Sequence, residues 1–151
     1  MGAIGKEENL EEVLAPVSDV FSVLTDINLA HSWGQTTVGS MTFPPEPRMR
    51  IGQIIQVCPR GMKEDCQVKI KVIHHDGFVE MDVVEGPLFG TLKFLVEPRP
   101  YGTMLTALFD YRIERMGFNM KWKLSEKKKY HAMMSAILAN VKNFAEMKAS
   151  Q

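Results

Sequence analysis

The chain is poor in cysteine, with two thiols, Cys58 and Cys66, in 151 residues. Two cysteines cannot build the disulfide framework of a small secreted fold, so a cytoplasmic setting is the default expectation. An excess of charge of either sign is also missing, since 18 basic side chains stand against 18 acidic ones. That balance argues against a nucleic-acid binder working through a broad basic field. No stretch approaches the roughly 20 apolar residues of a membrane helix. The opening MGAIGKEENLEE carries no basic segment followed by an apolar run, so no secretory signal is expected. GxSxG elbows, phosphate-binding glycine loops, CxxC pairs and HxxxH pairs are all absent from the sequence. Neither a metal nor another cofactor is therefore expected. Internal repeats and Ser/Gly linkers are missing too. The loop-like cluster Pro44-Pro45-Glu46-Pro47-Arg48 is too short to divide the chain, which reads as one domain over residues 1–151.

What is present is pattern. Pro16 suits a first helical turn, and Val17, Val20, Phe21 and Leu24 follow at helical spacing. Asp26 can cap a second short helix running through Leu29, His31 and Trp33 to Gly34. A short strand near Leu10 to Leu14 precedes them. The middle of the chain alternates as strands do. Asp76-Gly77 reads as a two-residue hairpin turn that sets His74 opposite Val79, Val72 opposite Met81 and Ile70 opposite Val83. Gly86-Pro87 reads as the next turn, setting Met81 opposite Leu92 and Val79 opposite Phe94. Both registers put Cys66, Val68, Ile70, Val72 and His74 on the apolar face, with Lys71 opposite Asp82 and Glu80 opposite Lys93 outside. Leu105, Ala107, Phe109 and Tyr111 are assigned inward on the last strand, and a further strand from Gly52 to Cys58 returns through Arg60-Gly61. From about Ser125 to Lys148 the chain is free of Gly and Pro. There Tyr130, Met133, Met134, Ile137, Val141, Phe144 and Ala145 share one face of a helix of about six turns. An antiparallel meander with one apolar face needs a cover, and this stripe can supply it.

Several segments carry a family resemblance. They are Ala15-Pro16 with Val20-Phe21 and Leu24-Thr25-Asp26, then Trp33, then Val96-Glu97-Pro98 with Gly102-Thr103, and finally Asn140-Val141-Lys142-Asn143-Phe144-Ala145-Glu146. In this order and spacing the chain resembles the START-like, or SRPBCC, superfamily, which includes the birch pollen allergen, polyketide cyclase/dehydrases and lipid-transfer domains. The resemblance implies an α+β helix-grip fold. In it, a curved antiparallel sheet of about seven strands holds two short helices, and a long C-terminal helix lies over its concave face. It also implies a hydrophobic cavity between sheet and helix.

The candidate lining is Met81, Leu92, Phe94, Phe109 and Tyr111 from the sheet, with Tyr130, Met133, Met134, Ile137 and Val141 from the helix. Apolar pockets with a few placed polar groups suit small hydrophobic ligands, and methionine adapts to their shape. The same residues also serve as ordinary core. His74 is expected inward, where an imidazole could orient a polar group or move a proton, and His75 outward. Trp33 is placed at the cavity mouth or as a packing anchor. The expected partner is a small hydrophobic molecule: a lipid, isoprenoid, quinone or polyketide-like compound. A polyketide cyclase/dehydratase-type enzyme and a chaperone-activator-like interaction module are the alternatives, and a homodimer is compatible with either. The runs Lys127-Lys128-Lys129 and Arg48-Met49-Arg50 read as solvated charges able to meet an anionic headgroup or a partner.

Overall fold

The computed structural model describes residues 3–59 and 65–151, with backbone alone at residues 3, 33–40 and 59. Strand β1 (Ala3–Val13) leads into helices α1 (Val17–Thr25) and α2 (Ile27–Val38). Six strands follow: β2 (Gly39–Thr42), β3 (Ile54–Pro59), β4 (Cys66–His74), β5 (Phe78–Glu85), β6 (Phe89–Arg99) and β7 (Gly102–Ile113). Helix α3 (Met116–Lys121), a π-helical turn (Trp122–Glu126) and helix α4 (Lys127–Ala149) close the chain. The seven strands form one antiparallel sheet in the order β1-β7-β6-β5-β4-β3-β2. This is the expected α+β helix-grip architecture, with β1 and the final helical segment longer than expected and β2 added.

Local chemistry fixes the junctions. Asp26 caps α2 as expected, its Oδ1 accepting from the N–H groups of Asn28 (2.9 Å) and Leu29 (3.2 Å). The proline-rich loop is laced to this corner by Ile27 N–H donating to Pro47 O and Met49 N–H donating to Thr25 O. Gly102 is required where β7 starts, because a Cβ there would meet the backbone of Val13 and Ala15 at a positive φ of 152°. The adjacent Thr103 hydroxyl donates to Ala15 O at 2.7 Å, tying β7 to the end of β1.

The β5–β6 register is as expected, with Met81 opposite Leu92, Val79 opposite Phe94 and Glu80 opposite Lys93. The β4–β5 register differs by one residue near its turn. His75, Asp76 and Gly77 form a three-residue connection, with Asp76 in the left-handed region at φ 56° and Gly77 N–H donating to His74 O. His74 therefore pairs with Phe78 and Ile73 with Val79. An irregularity between Ile70 and Val72 shifts the pairing by a second residue, so Ile70 meets Met81 rather than the expected Val83, and Val68 meets Val83; a shift of two restores the expected faces. Cys66, Val68 and Ile70 stay inward as expected, whereas Val72 and His74 change face and Ile73 takes the inner place. Lys71 reaches Asp82 at 3.6 Å, although the residue directly opposite Asp82 is Lys69.

The core lies between the inner sheet face, α1 and α4. It is centred on side chains with almost no exposure, among them Leu24, Ile70, Val79, Leu105, Leu138 and Val141. At the C-terminal end, Glu146 accepts from Lys142 Nζ at 2.6 Å and from the Leu14 N–H at 2.8 Å. These two bonds, the lysine's foremost, hold its carboxyl below the usual glutamate range. Leu138 sits at the middle of the α4 contact with no exposure. Leu138→Ala should lower stability by about 2–5 kcal/mol in urea unfolding. A loss below about 0.5 kcal/mol, the usual size of a surface effect, would show that α4 does not cover the sheet as described.

Candidate functional site

Most of the expected lining residues converge. Met81, Phe94, Met134, Ile137 and Val141 are buried in the main core, with Leu92, Tyr130 and Met133 packed against it. Phe109 and Tyr111 belong to a second cluster with Leu88, Ile113 and Trp122, and Leu92 and Tyr130 touch both clusters. His74 does not join them. Its change of face leaves it exposed on the outer side, its ring stacked on Phe78 at 5.4 Å. His75, expected outward, lies at the turn with its ring edge-on to Phe21 of α1 at 5.5 Å. Trp33 lies on α2, and its side chain falls outside the described residues, as does the Arg60-Gly61 turn. Cys58 and Cys66 are not joined in a disulfide. Among the described residues no group of three His, Cys, Asp or Glu side chains could hold a metal ion.

The second cluster is aromatic. Phe109, Tyr111, Trp122 and Tyr130 contact one another, with ring centroids 4.9–5.9 Å apart. Trp122 Nε1–H donates to Tyr111 Oη at 2.9 Å. Because that oxygen accepts from the indole, its own proton is left to donate. Two glycines make room for this tyrosine, which stands opposite Gly5 on β1 and Gly90 on β6. A side chain at Gly5 would collide with the Tyr111 ring, and one at Gly90 with the Asp110 and Tyr111 backbone. The π-helical turn brings Trp122 back over the sheet, a local widening often found at functional sites.

Beside the aromatic rings lies a polar group that the sequence reading did not anticipate. Alternation along β1 buries Glu7, Asn9 and Val13 while Lys6, Glu8, Leu10 and Glu12 are exposed. Glu7 is only 5% exposed and stands opposite Phe109. Its carboxylate oxygens lie 3.6 Å from Lys127 Nζ and 3.4 Å from His131 Nε2. The Asn9 amide donates to Ser135 Oγ (2.9 Å) and to the His131 carbonyl (3.2 Å), bolting β1 to α4. Yet Glu7 Oε1, Asn9 Oδ1 and Tyr130 Oη are buried with no hydrogen-bond partner among the described residues. Burial, reinforced by the nearby Glu7 charge, pushes the Tyr130 phenol well above the usual tyrosine range. The inner surface thus offers phenol donors from Tyr111 and Tyr130, acceptors from Glu7 and Asn9, and aromatic walls. The signal for Glu7 and Asn9 was the period-two pattern of residues 5–13, obscured because polar residues occupy both faces.

The Tyr130 environment has a consequence in alkali. The folded chain holds the phenolic proton more tightly than the unfolded chain does. Its contribution is complete below the ordinary tyrosine value near 10 and is lost as pH climbs towards the higher folded value. Stability measured by urea unfolding should therefore fall more steeply above pH 10 in the wild type than in Tyr130→Phe. Identical slopes would show that the phenol is not held in this environment.

No family model matches the sequence, and no curated protein matches it. Solved structures do. A norcoclaurine synthase point mutant from Thalictrum, in complex with a transition-state analogue, superposes with TM-score 0.76 at 12% identity, covering 100% of this chain and 99% of that one. An uncharacterised protein from Rhizobium leguminosarum gives 0.72 at 12% identity, with 97% of each chain covered. The di-domain ARO/CYC StfQ of the steffimycin biosynthetic pathway gives 0.69 at 16% identity, covering 98% of this chain and 53% of that one. Similarity at this level of identity is a statement about the backbone. Together with the strand order and the seating of α4, it shows that the chain has a helix-grip fold.

Proposed function

We propose that the chain binds a small, largely apolar molecule bearing a hydroxyl or amine group, held between the inner sheet face and α4. One observation carries this reading: three buried polar atoms have no hydrogen-bond partner among the described residues, namely Tyr130 Oη within the Phe109–Tyr111–Trp122–Tyr130 cluster, Glu7 Oε1 on the residue opposite Phe109, where it meets Lys127 Nζ only at 3.6 Å, and Asn9 Oδ1 two residues further along β1. A buried polar atom left unpaired costs about 1–3 kcal/mol, so a ligand group that pairs with it gains selectively over an apolar analogue. Apolar and aromatic contact supplies the affinity, and Glu7 fixes the orientation by accepting from the ligand donor. An aromatic or polyketide-like compound with a free hydroxyl fits this surface better than a plain fatty chain, because ring stacking on Tyr111, Trp122 and Tyr130 rewards flat molecules.

A second reading is a polyketide cyclase/dehydratase-type enzyme, favoured by the Glu7 carboxylate lying 3.4 Å from the His131 imidazole. Such a pair can accept a proton from a substrate carbon while a phenol donor steadies the developing enolate oxygen. The norcoclaurine synthase and StfQ backbones are compatible with either reading.

Binding of naphthols, quinones, flavonoids and fatty acids, followed by tryptophan fluorescence and calorimetry, tests the first reading. A hydroxyl-bearing aromatic should bind, and Glu7→Gln should weaken it by about 10-fold or more while leaving the corresponding methyl ether unaffected. Equal effects on both compounds, or no binding across the panel, would contradict it. Turnover that Glu7→Gln abolishes while binding persists would establish the enzyme.

A further inference from the structure

The segment between β7 and α4 has two contrasting sides. Phe118 and Trp122 face the aromatic cluster. Met116, Met120 and Leu124, also four residues apart, are 71%, 65% and 75% exposed. At helical spacing, positions offset by two fall on opposite sides, so these three form an outward apolar stripe. Ile4, 91% exposed and opposite Arg112, lies at the strand ends from which this segment departs. Large apolar side chains gathered in this way on a surface mark an interaction site.

The charge around the stripe identifies the partner. From Arg115 to Lys129 there are six basic side chains and one acidic one, Glu126, in a chain whose charges cancel overall. Lys127 is engaged by Glu7 and Lys129 by Glu126. Lys121, Lys123 and Lys128 are exposed beside the stripe. Exposed Met and Leu flanked by lysines is the composition of an interfacial helix. The apolar side chains enter the headgroup–acyl boundary, and the lysines meet negative headgroups. No helix among the described residues is long and apolar enough to cross a membrane, so the segment would lie on the surface.

We propose that α3 and the π-helical turn dock the protein on an anionic lipid bilayer. The inference stands apart from the reading of the inner site, since it rests on the opposite side of the same segment. The two are mechanically linked, however: Trp122 covers the aromatic cluster from inside while Met120 and Leu124 face the bilayer, so docking would bear directly on the cover of the inner surface.

Co-sedimentation with phosphatidylcholine vesicles, with and without phosphatidylglycerol, tests it. The protein should bind only the anionic vesicles and be released by salt. The double variants Met116→Asp/Leu124→Asp and Lys121→Glu/Lys123→Glu should each weaken binding by about tenfold or more. Lys69→Glu, on the exposed outer sheet face, should leave it unchanged. All five positions are exposed, so circular dichroism should report an unaltered fold. Absence of sedimentation, equal binding to both vesicle types, or an equal loss in Lys69→Glu would overturn the proposal. A dimer in solution that Met116→Asp/Leu124→Asp dissolves, with no vesicle binding, would also overturn it and assign the face to a second copy of this chain.

Discussion

The seating of α4 on the inner face of the sheet governs the rest of the structure. Val79 and Leu105 of the sheet and Leu138, Val141 and Ala145 of the helix are buried there completely or nearly so. Non-directional apolar burial of this kind sets the distance between helix and sheet but not their relative rotation. The rotation is supplied by polar contacts at both ends of α4. Asn9 bonds to Ser135 and to the His131 backbone near its start, and Glu146 bonds to the Leu14 N–H near its end. One end is fastened to β1 itself and the other to the residue that follows it. An edge strand thus does more than complete the sheet: it holds the cover in register and carries Glu7 beneath it.

This arrangement explains why the polar groups cluster where they do. The row of β1 that faces α4 is mixed, with Glu7 and Asn9 preceding Val13, whereas the facing row of β7 is apolar and aromatic from Leu105 to Ile113. One flank of the interface is therefore chemically specific and the other generic. The π-helical turn adds Trp122 above Tyr111, and the Gly5–Tyr111–Gly90 row gives the tyrosine room to lie across β1. Backbone likeness to norcoclaurine synthase and to StfQ extends over nearly the whole chain, yet side chains such as these decide what each protein does.

Much of this architecture was legible in the sequence, for identifiable reasons. The α4 stripe is long and free of breakers, so its period is unambiguous. The β5–β6 pairing follows from alternation on both strands. The β4–β5 hairpin misled because Asp76-Gly77 supports both a two-residue and a three-residue connection, and one extra residue exchanges faces. Sequence alternation could not reveal the irregularity near Lys71 that restores the phase, and His74 was therefore assigned to the wrong side. Glu7 and Asn9 escaped notice because acidic and amide residues are expected outside, and their burial depends on α4, more than a hundred residues away. Trp122 escaped notice because it stands ahead of the Tyr130–Ala145 stripe, and the π-helical turn that begins with it breaks the 3.6-residue period there.

The proposed ligand site lies at the junction of β1, β7 and α4. Backbone amide chemical shifts followed during titration with a neutral naphthol test it most directly. The largest changes should fall at Gly5–Asn9, Phe109–Tyr111, Trp122 and Tyr130–Ser135. Changes confined to the outer sheet face around His74 and Phe78, or to the surface groove between Leu14–Val17 and Pro98–Gly102, would contradict it.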